Sequence, residues 1–185
     1  MSECVRESAG MLWTVLVTVG TTEFDELVEE LDKECDSFVQ MLIAQGMKRL
    51  VVQIGRGVTE PVLLAAICGK YGVNFEWFRF KPTLQQYMES ADLVLSHSGA
   101  GSIIEALTLK KRLVVIVNES LQDNHQTELA VALEARNYCH ATTPKELCQK
   151  LSNLLKKKDF LHEFNCSFPE VNHDLFPREL DDLFS

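Results

Sequence analysis

Three near-continuous apolar runs, at residues 12–19, 50–54 and 113–117, constrain this chain most. A strand with one wet face alternates polar and apolar side chains. A run without alternation belongs to a strand buried on both faces, as in a parallel sheet covered by helices. Residues 73–78, 93–95 and 138–141 supply three further short strands. Between the strands lie segments with helical spacing. Residues 24–43 carry Phe24, Leu27, Val28, Leu31 and Cys35 on one stripe. Residues 61–71, 84–88 and 124–135 follow, the last with Leu129, Ala132 and Leu133 inward. A final helix, ending near residue 157, has the strongest start: Thr143 as N-cap, Pro144 at the first helical position and Glu146 closing a capping box. Strands alternating with helices predict right-handed βαβ units and an α/β, doubly wound parallel sheet.

In such sheets ligands bind outside the carboxyl ends of the strands. Turns at Gly20, Gly55 and Gly99 and the loop 118–126 all follow strands, so they are expected to gather on one edge. The richest of them is Ser96-His97-Ser98-Gly99-Ala100-Gly101-Ser102, leading into Ile103, Ile104 and Glu105. A strand, a glycine turn and a helix start meet there. Free backbone N–H groups and the positive end of a helix dipole suit a phosphate, and Glu105 stands one turn in, where a carboxylate reaches a sugar hydroxyl. A ligand-free reading also fits: Ser102 and Glu105 match a Ser-x-x-Glu capping box, and Gly99 and Gly101 serve a tight turn.

Other edge residues carry the same double reading. Thr21 and Thr22 offer hydroxyls to a diphosphate, or Thr22 caps the helix that follows. Asp123 suits an N-cap, which leaves Asn124, His125 and Gln126 as amides and an imidazole able to bind sugar hydroxyls. Arg56, between two glycines, either neutralises phosphate or faces solvent. His97 has no Ser/Asp neighbours that would make a hydrolase triad. A P-loop is absent, and the first strand lacks a Gly-x-Gly-x-x-Gly turn.

The formal charge of −9 argues against nucleic acid as a partner. Six scattered cysteines without metal spacing suggest free thiols in a reducing compartment. No apolar stretch approaches the ~20 residues of a membrane span, and the acidic N-terminus does not read as a signal peptide. Any membrane connection is expected to come from a partner or a surface contact. Residues 1–158 read as one domain. Residues 159–185 form an irregular tail, with Phe160, Leu161 and Phe164 able to add a helical turn against the domain or a partner.

Three stretches carry a more specific signal: Val17-Thr-Val-Gly-Thr-Thr-Glu-Phe-Asp25, Gln53-Ile-Gly-Arg-Gly57, and Ser96-His-Ser-Gly-Ala-Gly-Ser102 continuing through Asn118 to Gln126. In order and together, they resemble the catalytic, cytosolic subunits of the two-part transferases that add the second N-acetylglucosamine to the dolichol-linked precursor of N-glycans. Those subunits are similar to the donor-binding C-terminal half of the peptidoglycan glycosyltransferase MurG. The resemblance covers residues 12–155. It implies a Rossmann-like GT-B C-terminal half-domain that binds UDP-N-acetylglucosamine as donor substrate, with no cofactor and no metal. It also implies a membrane-anchored partner subunit that binds the lipid-diphosphate sugar acceptor and holds the complex at the cytosolic face of the endoplasmic reticulum. Gly20, Thr21 and Thr22 would then approach the diphosphate, and Ser98, Gly99, Ala100, Gly101 and Ser102 would line the same region. Glu105 would take the ribose, and Asn124, His125 and Gln126 the sugar. The general base stays open, with His97 and His125 as candidates. The alternative is a non-catalytic paralogous binding subunit of the same complex.

Overall fold

The computed structural model describes residues 13–118, 124–157 and 160. Six parallel strands form one sheet: β1 (Thr14–Thr18), β2 (Arg49–Gln53), β3 (Asn74–Phe78), β4 (Leu93–His97), β5 (Arg112–Ile116) and β6 (His140–Thr142). Their spatial order is β3-β2-β1-β4-β5-β6. The chain therefore winds outward from β1 to one edge, crosses back to the centre and winds outward the other way. The doubly wound sheet expected from the apolar runs is the one observed. In register, Val15, Leu16 and Val17 lie between Leu50, Val51 and Val52 on one side and Leu93, Val94 and Leu95 on the other. All nine are buried, which is why the runs do not alternate.

Helices cover both faces. α1 (Asp25–Lys33), α2 (Cys35–Ile43), α3 (Val62–Lys70) and α7 (Leu147–Leu155) pack with Val15, Val17, Leu50 and Val52. α4 (Gln85–Ser90), α5 (Ala100–Thr108) and α6 (Asn124–Ala135) enclose Leu16, Val51, Val94 and Val115 on the opposite face. Burying a single Leu or Val contributes about 1.5–3 kcal/mol, so these two layers dominate the domain's stability.

Several local expectations need correction. The helix expected over 24–43 is broken at Glu34, which closes α1 and opens α2. Neither proline nor glycine stands there. Instead the Ser37 hydroxyl donates to the Glu34 carbonyl (2.9 Å), a back-bond that bends helices. The capping box at Thr143 does not form. Residues 143–146 make a turn closed by Glu146 N–H to the Thr143 carbonyl (3.2 Å), and α7 begins at Leu147 without a side-chain cap. In α6 the buried residues are Leu129, Ala130 and Leu133, while Ala132 is only half-buried. Phe160 is buried in the core beside α7, its ring 5.6 Å from that of His140 and its carbonyl accepting from Arg112 Nε (2.8 Å). That ring is committed to the domain and not to an outside surface. Leu161, Phe164 and the rest of the tail, like the acidic N-terminus, lie outside the described residues. Cys35, Cys68 and Cys148 are free thiols and Cys139 is buried; Cys4 and Cys166 are outside the described set.

Candidate functional site

The cleft opens where the winding reverses. β1 and β4 are neighbours, yet their chains leave toward opposite faces, so the turns that follow them part and leave a crevice at the carboxyl edge. With the β3–α4 connection these turns line an open cleft of about 570 Å³, within the ~300–1,000 Å³ usual for small-molecule sites.

His97, at the end of β4, organises both turns. Its ring is only 6% exposed. A Cβ on Gly20 would fall 2.6 Å from its Cε1, and one on Gly99 would overlap Nε2 and Cε1. Glycine is therefore a packing requirement at both positions, and Gly20 also adopts φ +63°. Among the described residues, Nδ1 of His97 is buried without a hydrogen-bond partner. The Thr18 backbone lies near enough to favour the charged ring slightly, but without hydrogen-bond geometry. Burial outweighs it and lowers the pKa, so the imidazole is neutral at neutral pH.

A buried amide fixes the first turn. Gln53, 2% exposed at the end of β2, accepts from the Thr18 hydroxyl (2.6 Å) and Gly20 N–H (2.9 Å) through Oε1. Its Nε2 donates to the carbonyls of Gly20 (2.5 Å) and Arg79 (2.8 Å). All its hydrogen-bonding capacity is thus spent on shaping the cleft wall. The Gly55 turn backs the same wall: Arg56 N–H donates to the Thr22 carbonyl (2.9 Å), and Gly55 has φ +56°. The Arg56 side chain is exposed and does not line the cleft.

The capping readings of the site residues do not hold. Thr22 does not cap α1, whose N-cap is Phe24; its hydroxyl donates to the Val19 carbonyl (3.0 Å). Helix α5 starts at Ala100, with Gly99 as N-cap and no side-chain cap. Ser102 and Glu105 are therefore both inside the helix and make no capping box. Ile103 N–H bonds back to Gly99 (3.2 Å), which leaves the amides of residues 100–102 available at the cleft. A Cβ on Gly101 would meet open space. Glycine costs a helix up to about 1 kcal/mol relative to alanine, and packing gives no reason for it here. The Glu105 carboxylate has no hydrogen bond or ion pair with a described residue, and burial, with the charge of Glu89, raises its pKa. Hydroxyl, bare amides and an unpaired carboxylate thus share one wall.

Of the residues singled out from sequence, Gly20, Thr21, Thr22, His97, Gly99, Ala100, Gly101, Ser102 and Glu105 come together in the lining. Ser98 is buried and is not part of it. Asn124, His125 and Gln126 form the first turn of α6; their side chains and Asp123 lie outside the described residues. Sequence reasoning passed over Gln53, Phe80, Lys81 and Leu84, which complete the lining. Gln53 had a signal, a lone amide ending an apolar run. Phe80, 53% exposed on the opposite wall, was hidden beside Trp77 and Phe78, which read as strand. No cluster of three metal-ligating side chains occurs among the described residues.

Residues 14–168 match the model of the glycosyltransferase family 28 C-terminal domain. The chain belongs to this family. Among its relatives, the UDP-N-acetylglucosamine transferase subunit ALG13 of Mus musculus is 41% identical over 131 residues, 71% of this chain but 11% of that protein. The subunit of the same name from Cryptococcus neoformans is 30% identical over 197 residues, covering 92% of this chain and 96% of the relative. The chain thus spans about a tenth of the mouse relative and nearly all of the fungal one. The NMR solution structure of ALG13 superposes with a TM-score of 0.63 at 24% identity, covering 95% of this chain and 98% of that one. The crystal structure of Acinetobacter baumannii MurG gives 0.67 at 17% identity, with 97% of this chain matched to 51% of MurG. At these identities the likeness concerns the fold: a family 28 C-terminal domain, half of a GT-B architecture. In this family 28 domain, no helix among the described residues is long and apolar enough to cross a membrane.

Proposed function

We propose that this chain is the donor-binding subunit of an inverting glycosyltransferase that moves N-acetylglucosamine from UDP-N-acetylglucosamine to N-acetylglucosaminyl-diphosphodolichol. The single observation that carries the reading is the α5 wall, where free amides, the Ser102 hydroxyl and the unpaired Glu105 face one cleft without serving as caps. The names of the relatives agree with a UDP-N-acetylglucosamine transferase subunit.

In this reading the diphosphate lies across residues 20–22 and 99–102, where the α5 N-terminus favours negative charge by about 0.3–1 kcal/mol, more where water is excluded. Glu105 accepts hydrogen bonds from the ribose hydroxyls. Phe80, exposed across the cleft, offers a face to the base. Asn124, His125 and Gln126 contact the transferred sugar. The acceptor hydroxyl attacks the anomeric carbon from the side opposite the diphosphate. The new C–O bond forms as the bond to the diphosphate breaks, inverting the carbon and releasing UDP. Charge growing on the leaving diphosphate is met by the preorganised amides. The hydroxyl proton passes to a base, with His97 and His125 as this chain's candidates. His97 lines the cleft and, being neutral, is able to accept.

The chain matches half of a GT-B fold. We assign the acceptor half, and attachment to the cytosolic face of the endoplasmic reticulum, to a membrane-anchored partner. The test is transfer of labelled N-acetylglucosamine to a lipid-diphosphate-N-acetylglucosamine acceptor, with and without that partner. Partner-dependent transfer that collapses in Glu105→Ala supports the proposal. A stable complex that binds UDP but transfers nothing would leave a non-catalytic binding subunit.

A further inference from the structure

The cleft wall that carries Phe80 is a loop, and loops hold aromatic side chains in place only when tethered. Both neighbours of Phe80 are tied down. Arg79 gives its carbonyl to Gln53 Nε2 (2.8 Å), donates from Nη1 to the Gly57 carbonyl and pairs through Nη2 with Glu60 (3.6 Å). Lys81 reaches back to Glu76 and Phe78 of β3 and to Tyr87 of α4. Its ammonium donates to Glu76 Oε1 and to the Tyr87 hydroxyl, and lies 4.5 Å and 4.6 Å from the ring centroids of Phe78 and Tyr87. The acceptor is itself held. Glu76 also takes Arg49 Nη2 (2.8 Å) and the Tyr87 hydroxyl (2.7 Å), and the Phe78 and Tyr87 rings sit 5.1 Å apart.

Among the described residues Lys81 is the only lysine or arginine in the cleft lining, yet its charge is met by Glu76. Glu76 and Tyr87 are not in the lining. An acid, two rings and a second cation around one ammonium exceed what an exposed loop requires for solubility. Their common effect is to fix the backbone on the carboxyl side of Phe80 as Gln53 fixes it on the other.

We propose that Glu76, Lys81 and Tyr87 form a clamp that positions the β3–α4 loop, and so sets the affinity of the Phe80 wall for a nucleoside without touching the diphosphate wall on α5. The proposal rests on the donor reading above and goes beyond it, because it assigns control of nucleoside affinity to a clamp anchored by Glu76 and Tyr87, which lie outside the cleft lining. Ordering one aromatic side chain is worth roughly 0.5–1.5 kcal/mol, so loss of the clamp is expected to weaken nucleoside binding roughly 2- to 12-fold.

The test is calorimetric titration of the full chain with UDP, uridine and inorganic pyrophosphate, for wild type, Glu76→Gln, Tyr87→Phe and Lys81→Met. Amide exchange across residues 79–84 is followed in parallel. The clamp predicts weaker UDP and uridine binding in all three variants, unchanged pyrophosphate binding and faster exchange in the loop. General destabilisation would weaken pyrophosphate as well, which would overturn it. Weakening in Lys81→Met alone would make Lys81 a direct ligand contact and also overturn it. UDP binding that is equal in all four proteins would sink the clamp and spare the donor reading. No UDP binding by the wild type would remove both.

Discussion

At the scale of single residues, the site is a balance between tight packing and groups left unpaired. Gly99→Ala is expected to destabilise the domain by about 1–3 kcal/mol, the usual cost of overpacking, because the added methyl overlaps the His97 ring. In a His97→Ala background most of that cost should vanish. Urea unfolding of the two single variants and the double variant measures the coupling. Glu105 behaves in the opposite sense. Its folded-state pKa is raised above the ordinary 4.5, chiefly by burial and further by Glu89, so the ionised form is disfavoured in the folded protein. That penalty is absent below about pH 4.5 and grows as pH rises through the folded pKa. Glu105→Gln should therefore raise the melting temperature at pH 7, with the gain disappearing below about pH 4.5, while UDP affinity falls. A thermal melt series from pH 4 to 8 reads this directly. Stability given up at a residue proposed to bind the donor is the expected signature of that role. Glu76 has the reverse sign: Lys81, Tyr87 and Arg49 lower its pKa to about 2. It contributes stability above about 4.5 that is lost as pH falls toward 2.

At the scale of elements, the strands, the doubly wound arrangement and the span of α6 were legible, whereas helix caps were not. A strand buried on both faces leaves no choice of residue type, so 12–19, 50–54 and 113–117 could be read without context. A cap is different, because one Ser or Thr satisfies a helix, a turn or a ligand equally well. Two capping boxes, at Ser102 and Thr143, and a cap at Thr22 fit the sequence, and the structure forms none of them. At Ser102 the reason is that α5 starts two residues earlier, where the Gly99 backbone can enter the helix under His97. Ser102→Ala and Thr143→Ala should accordingly each change unfolding free energy by less than about 0.5 kcal/mol, against the ~1 kcal/mol expected for a lost cap. Denaturant unfolding decides it. Only Ser102→Ala should also weaken UDP binding. The β3–α4 wall was hidden for a related reason: Phe80 lies just past a strand ending in Trp77 and Phe78, with no motif of its own, and only the ties on Arg79 and Lys81 reveal it as a held loop.

At the scale of the whole molecule, the sheet order places the turns after β1 and β4 at the point of reversal, and the glycines let them approach one histidine between them. That geometry makes one wall of the cleft proposed to hold the donor. It does not by itself make an enclosed one, and the chain has the fold of half of a MurG chain. The most direct test of this account is an NMR titration of the isotope-labelled chain with UDP. Saturable shifts are expected on the amides of residues 20–22, 80, 81, 83, 84 and 99–105, with their loss in Glu105→Ala and the remaining spectrum intact. Saturable shifts centred elsewhere on the domain, with those amides unmoved, would contradict it.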